Sequence, residues 1–336
     1  MDLVKLEPIL KDQPRYRKDQ IDKFIYKDLS DNWKSATALP LELRTNLGRL
    51  VSLEISATLL ESEGGTIKAL ITLSDGLKIE SVLMRYEDGR NTVCVSSQVG
   101  CPLGCAFCAT GAMGFKRNLK VDEIVEQVLL FSRFLKKYDQ KVSNAVFMGM
   151  GEPFLNYENV ILAIRTLNDP KKLNLGARRI SVSTAGIPEF IRKYAADLPE
   201  CNLAISLHAA TQALRSKLMP INNAYSLSKV MEAVDYYIAL TSRKVMLEYI
   251  LIEGVNDTQQ DTHDLAALAA DRLVHVNLIP YNPTGVFKSP SRESLENFRT
   301  TLKSLGISVT QRFRFGTDIS AACGQLIVRR SEGKSQ

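Results

Sequence analysis

The chain has 336 residues, is 45% hydrophobic and carries a formal net charge of +6 with a pI near 8.9. That is enough apolar material for one large domain, or one domain with an appendage. No apolar run reaches the roughly 18–20 residues of a membrane span, and the charged N-terminus, MDLVKLEPILKDQPRYRKDQ, lacks a signal-peptide core, so a soluble cytoplasmic protein is expected.

In chain order, RKDQIDKFIYKDL and PLELRTNLGRL read as small basic helices. ISATLLESEGGTIKALITLSDGLKIESVLMRYEDGR then reads as hairpin strands with turn signals at EGG, SDG and EDG. Residues 1–86 are expected to form an N-terminal accessory domain, helical plus β-hairpin, that contacts nucleic acid. From about 92 the pattern changes. Strands are predicted at 93–97, 144–150, 179–186, 202–210, 244–254, 274–282 and 308–316. Helices are predicted at 121–138, 158–168, 187–198, 226–242, 258–273 and 291–306. The first helix, VDEIVEQVLLFSRFLKKY, places acids first and bases last, which suits the helix dipole.

Repeated βα alternation with continuous apolar strands argues for an α/β fold with a parallel sheet covered by helices, as an open sheet or a full or partial barrel. Six strand–helix units and a closing strand are too few for a complete eight-fold barrel, which leaves an open sheet or a partial barrel. Its core spans 87–316, followed by a C-terminal segment, 317–336. Ligands in such folds bind at the C-terminal ends of the strands. There the sequence places GMGEP, STAG, SLHAA and PYNP.

Six cysteines and three histidines are present. Four of the cysteines, Cys94, Cys101, Cys105 and Cys108, crowd together. In a large chain without an export signal, clustered cysteines bind metal or do chemistry more often than they form disulfides. CPLGCAFC spaces three of them C-x3-C-x2-C. A structural zinc site wants four protein ligands, commonly as two pairs, and no second pair exists. An electron-transfer iron–sulfur site also normally uses four cysteines. Three thiolates on a [4Fe–4S] cube leave one iron open for a substrate.

C-x3-C-x2-C with Phe107 before the third cysteine resembles the signature of the radical S-adenosylmethionine (SAM) superfamily, whose fold is a partial or full βα barrel; with six strand–helix units, the resemblance implies a partial (β/α)6-type radical SAM barrel. By that resemblance Cys101, Cys105 and Cys108 hold a [4Fe–4S] cluster, whose open iron chelates SAM. One electron then cleaves SAM to a 5′-deoxyadenosyl radical. GMGEP (149–153) resembles the family's GGEP motif, with Gly151 and Glu152 meeting the SAM amino group. Ser183, Ser206, Leu207, His208 and Asn282 are the remaining SAM contacts that the resemblance implies.

Two further cysteines narrow the family. VCVSSQVGCPLGCAFCATGAMGFKRNL, MGMGEPFLN, RRISVSTAG, ISLHAATQALRSKLMPIN, VNLIPYNP and FGTDISAACGQL closely resemble the RNA adenine methyltransferases of the RlmN/Cfr family, which modify 23S ribosomal RNA and transfer RNA. The likeness runs from about 15 to 326. An aromatic C–H carbon of adenine cannot take a methyl from SAM directly. The resemblance implies two SAM per turnover. The Cys323 thiolate takes a methyl from the first. The radical from the second removes hydrogen from methyl-Cys323. The resulting carbon radical adds to adenine, and Cys94 releases the base by forming a disulfide with Cys323. Glu80 is the matching family base. Cys201 matches no motif and is expected to be a small buried apolar residue.

The same resemblance implies 23S rRNA and tRNA as partners, with an external one-electron donor and a thiol reductant; a monomer is the default expectation. Lys116, Arg117, Arg178, Arg179 and RYRK (15–18) are candidate phosphate contacts. GEP at 151–153 favours the branch that methylates adenine C2, in the peptidyl-transferase region of 23S rRNA and next to the tRNA anticodon. The alternatives are the resistance-type C8 branch, and a radical SAM activase that generates a glycyl radical on a protein. The activase would need neither Cys94 nor Cys323.

Overall fold

The structure, a computed structural model, describes residues 5–312 and 315–327. Residues 313–314 of the expected last strand and 328–336 of the expected C-terminal segment lie outside the described residues.

Helices α1 (Leu6–Leu10), α2 (Arg15–Asp22) and α3 (Leu41–Leu50) come first. The segments that follow α2 and α3 are tied to the basic end of a later helix, α5 (Val121–Lys136). Arg133 donates to the Ser30 and Leu53 carbonyls, and Lys136 to that of Asp28. Strands β1 (Ala57–Glu61), β2 (Ile67–Thr72) and β3 (Lys78–Arg85) form the antiparallel meander that the Gly-containing turns announce. This meander does not stand apart. β3 pairs antiparallel with β4 (Asn91–Cys94), so backbone hydrogen bonding runs across residue 86 into the following segment.

The parallel sheet continues as β4, β7 (Asn144–Phe147), β8 (Ile180–Thr184), β9 (Asn202–Ser206), β10 (Val245–Leu251), β11 (Val274–Pro280) and β12 (Val309–Gln311). Chain order and spatial order coincide across all ten strands, the single winding of a partial barrel. A short hairpin, β5 (Gln98–Gly100) with β6 (Phe115–Asn118), flanks the cysteine loop and the one-turn helix α4 (Ala109–Ala112).

The helices between strands are α5 (Val121–Lys136), α6 (Tyr157–Asn168), α7 (Pro188–Asp197), α8 (Gln212–Leu218), α9 (Leu227–Thr241), α10 (Gln259–Ala269) and α11 (Arg292–Ser304). Most of their apolar faces and the strands make one large core, while Leu218 of α8 joins a second, smaller cluster with Phe107, Ile250 and Tyr281; none of these helices is long and apolar enough to cross a membrane.

Several expected strands run past their observed C-terminal ends. The run 144–150 leaves the ladder after Phe147, 202–210 after Ser206 and 274–282 after Pro280. The overrun residues stay largely buried, which keeps the sequence apolar, but they turn to line a cavity instead of pairing.

Candidate active site

Parallel strands wound in one direction all end on the same side, so the residues after each strand converge there. One cavity at that end is lined by Cys94 from β4, Met148–Gly149 after β7, Ser183 from β8, Ser206 from β9, Glu248 from β10 and Asn282 after β11. The cysteine loop contributes Phe107 and Cys108 to the same wall.

The C-terminal segment folds back over this end and is fastened from several sides. Ala109 N–H donates to the Gly324 carbonyl (2.8 Å), and the Thr110 hydroxyl to that of Leu326 (2.6 Å). Asn282 Nδ2 donates to the Cys323 carbonyl (3.1 Å), and Lys68 to that of Ser320 (3.4 Å). Gly324 has φ +82°, a conformation that L side chains rarely adopt, and it turns the chain immediately after Cys323. Cys323 thereby lines the same cavity as Cys94. Both thiols are free. Burial, with the neighbouring Cys323, pushes the Cys94 thiol up to about 12, while Arg312 and the Met148 backbone N–H act against that rise.

The other expected site residues are held firmly. His208 sits at φ +59°, and its Nδ1 accepts from Ile250 N–H (3.1 Å). Burial and the Arg215 charge lower its pKa to about 3, so the ring is neutral and carries its proton on Nε2. Phe107 meets this ring edge-on at 4.8 Å. The Ser183 and Ser206 hydroxyls lie 3.3 Å apart across β8 and β9. The Glu152 carboxylate accepts from Thr184 Oγ1 (2.6 Å), Ala185 N–H (2.8 Å) and Phe154 N–H (3.0 Å). Burial raises its pKa, and those three donors oppose the rise. Gly151, at φ +98°, has its backbone pressed on Gln98, where a Cβ would come within 2.5 Å.

Two expected residues lie apart. Leu207 is fully buried, its N–H bonded to the Glu248 carbonyl, and does not line the cavity. Glu80, on β3, does not line the cavity, although Val82 and Met84 on the same face of the strand do; Lys68 Nζ lies at 3.0 Å and Ile327 N–H donates to it at 2.9 Å.

The expected phosphate contacts are partly corrected. Arg117 is a bidentate partner of Glu123 and also binds Asp75, so its donors are engaged within the fold. Arg178 and Arg179 precede β8 and so lie at the opposite end from the cavity. The 15–18 segment is tied to that same end by the Asp19–Lys171 pair (3.0 Å). Lys116 remains exposed beside the cysteine loop. Cys201 is buried, as expected.

Sequence reasoning missed three charged residues. Arg215 is fully buried and donates to the carbonyls of Ala185, Ser206 and Leu207, fastening the ends of β8 and β9. Glu248 and Arg312 line the cavity 3.6 Å apart. A single acid inside the apolar run VMLEYIL was the available signal for Glu248.

Comparison with known proteins agrees with this geometry. Residues 95–266 match the radical SAM superfamily. A protein of Dictyoglomus thermophilum called "Probable dual-specificity RNA methyltransferase RlmN" is 44% identical over 317 residues, covering 94% of this chain and 91% of that one. One of the same name from Staphylococcus haemolyticus is 46% identical over 318 residues, covering 94% and 87%. The chain belongs to the RlmN family of radical SAM methyltransferases. A crystal structure of a radical SAM methyltransferase from Sphaerobacter thermophilus superimposes with a TM-score of 0.92 at 44% identity, covering 97% of each chain.

RlmN-family membership implies a [4Fe–4S] cluster and SAM. The residues present fit both. Burial first pushes the Cys101 thiol up to about 12, with Glu152 and then Cys108 adding to the rise, and burial with Cys108, Cys101 and Glu152 raises Cys105 against the opposing charge of Arg215; a bound metal would supply the positive charge that such buried thiols call for. Among the described residues no three Cys, His, Asp or Glu side chains converge on a single point, as ligands of one ion would. A cluster asks instead for one thiolate on each of three irons. Asn282 Oδ1 and Glu248 Oε1 are buried acceptors without a partner among the described residues, and both belong to cavity-lining side chains. Hydroxyl and ammonium groups of SAM are donors of the kind they lack.

Proposed function

We propose that this enzyme methylates adenine C2 in 23S rRNA, in the peptidyl-transferase region, and in tRNA next to the anticodon. One observation carries the proposal: Cys323 and Cys94, far apart in sequence, line a single cavity beside the cysteine loop and the strand-end polar residues. A radical SAM activase has no use for such a pair.

In this reading Cys101, Cys105 and Cys108 ligate the cluster, while Gly151, Glu152, Ser183, Ser206, Leu207, His208 and Asn282 hold SAM. Leu207 does so through the turn it shares with His208 rather than through its side chain. When bound, cluster and SAM supply a methyl electrophile and, from a second SAM, a hydrogen-abstracting radical. Cys323 carries the methyl, gives up one hydrogen from it and bonds through that carbon to the base. Glu80 accepts the adenine proton. The adduct also gives up one electron, which the cluster would take when bound. The Cys94 thiolate then attacks the Cys323 sulfur as the sulfur–methylene bond breaks, the freed carbon takes a proton to become the methyl group, and the disulfide that remains is reduced by an external thiol. The target base must be unstacked to reach the cavity. Residues 1–86 serve as the RNA-contacting part, 87–316 as the radical SAM core and 317–336 as the carrier segment. The enzyme works in the cytoplasm as a monomer with an external one-electron donor.

The test is a reaction of anaerobically reconstituted enzyme with SAM, reductant and unmodified 23S fragment or tRNA, followed by nucleoside mass spectrometry. 2-Methyladenosine from both RNAs supports the proposal. 8-Methyladenosine would assign the enzyme to the other branch. Cleavage of SAM with no modified base would refute RNA as the substrate.

A further inference from the structure

Methyl loading needs Cys323 as a thiolate, and release of the base then needs Cys94 as one. A thiol does not displace from a sulfonium; the thiolate does. Burial makes ionisation of Cys94 hard.

One cation shares this wall. Arg312 follows β12 directly, and its backbone N–H continues the ladder to the Leu278 carbonyl (2.8 Å). That bond fixes where the side chain starts. The side chain is 15% exposed and lines the cavity together with Cys94 and Cys323. Nη1 lies 3.1 Å from the Met148 thioether and 3.6 Å from Glu248 Oε2. Met148 and Cys94 line the same cavity wall, and the Met148 backbone N–H, like Arg312, acts against the rise of the Cys94 thiol. Glu248 Oε2 also accepts from Asn277 (2.9 Å), which pins the carboxylate beside the guanidinium. The charges acting on Arg312 come from Cys323 first, then from Glu248, Cys94 and Tyr86. Arginine suits this place because it stays protonated at any working pH, so the cation persists whichever thiol is ionised.

We propose that Arg312 is the charge partner that holds Cys323, and later Cys94, as thiolates, with Glu248 as the counter-ion that moderates it. The inference rests on the assignment of Cys323 as methyl carrier. In the first step half-buried Cys323 releases its proton to water. The thiolate electron pair forms the new S–C bond as the sulfonium–methyl bond breaks, and S-adenosylhomocysteine leaves. No oxidant or reductant enters. Sulfonium and thiolate annihilate their charges, and Arg312 returns to Glu248. Arg312 acts through the thiols and is a positioning residue.

The test follows two pH–rate profiles on the cluster-loaded enzyme. One is methyl loading of Cys323 from SAM without RNA. The other is alkylation of Cys323 by iodoacetamide without SAM; both are read on the Cys323 peptide. The groups facing this region are Tyr86 on the loop after β3, Cys94 on β4, Cys108 of the cysteine loop, Glu152 after β7, His208 after β9, Glu248 on β10 and Arg312 itself, with Lys68 of β2 bonded to the tail at Ser320. Arg312→Met removes the cation, so both midpoints should move up by about one unit, slowing each reaction about tenfold near pH 7 and recovering at high pH. Arg312→Lys should fall between it and the parent. Glu248→Gln removes the competing anion and should move both midpoints down.

Opposite shifts from the two variants are the expected result, since a merely structural role moves neither. Superimposable profiles, or shifts in the same direction, overturn the inference. If Arg312→Met fails to hold its cluster, the downward shift of Glu248→Gln decides alone. A parent enzyme that never loads methyl on Cys323 defeats the carrier assignment instead, and the alkylation profiles still judge Arg312.

Discussion

Lys68 Nζ lies 3.0 Å from Glu80 Oε1, and both side chains are nearly excluded from water. The pair joins β2 to β3, and the same carboxylate also accepts from Ile327 in the tail (2.9 Å). Glu80 is therefore both the proposed proton acceptor and a fastening point of the segment that carries Cys323. Breaking a buried pair by removing one partner costs roughly 3–5 kcal/mol, because a buried charge is left behind. Lys68→Met should lower the thermal midpoint by a corresponding amount, and adding Glu80→Gln should recover much of it. A double variant no more stable than Lys68→Met would show that the pair contributes nothing as a pair.

Glu80→Gln alone separates the two roles. The amide oxygen can still accept from Ile327, so the tail stays fastened, but it cannot take a proton. Methyl loading of Cys323 should proceed near the parent rate, while methylated RNA falls by roughly 10²–10⁴-fold, the usual reach of a general base. Equal losses in both measurements would make Glu80 a structural residue only.

Cys94→Ser keeps the size of the side chain and removes the attacking sulfur. In the proposed sequence the methyl carbon then stays bonded to both Cys323 and adenine. A covalent protein–RNA species should accumulate, visible on denaturing gels after nuclease-free quenching. Turnover at the parent rate with no such species would remove Cys94 from the reaction.

His208 makes stability depend on pH. Its folded pKa is lowered to about 3 against 6.5 in the unfolded chain, so the unfolded state binds more protons between those values. The stabilisation from keeping the ring neutral is complete above about 6.5 and is lost as pH falls toward 3, at about 1.4 kcal/mol per unit. Urea unfolding between pH 7 and pH 5 should show this slope, and His208→Asn should flatten it. An equal slope in the variant would place the acid sensitivity elsewhere.

Much of this was legible from sequence. The βα alternation gave the parallel sheet, and Gly65, Gly76 and Gly89, each at positive φ, stand where the meander turns were read. The C-x3-C-x2-C loop and Cys323 were visible because rare residues at fixed spacing carry chemistry. The unread parts were those decided by convergence. Arg312 sits in SVTQRFRFG as one of two arginines in a polar-looking strand, and only the fold brings it to Cys94 and Glu248. Arg178 and Arg179 misled for the complementary reason: a basic dipeptide beside a motif says nothing about which end of the strand it occupies. The meander was expected in a separate accessory part, yet its last strand reads locally like any edge strand. Its pairing with β4 is a long-range fact.

The central claim is that Cys323 carries the methyl group to the base. Methyl-deuterated SAM tests it most directly. The cluster-loaded enzyme is first given labelled SAM, and the Cys323 peptide is read by mass spectrometry; RNA and reductant are then added and the modified nucleoside is read. The account predicts a labelled S-methyl group on Cys323 that disappears as product forms, and a product methyl group that retains two of its three deuteriums. A product that keeps all three, from an enzyme whose Cys323 never becomes labelled, would mean direct transfer from SAM and would contradict the account.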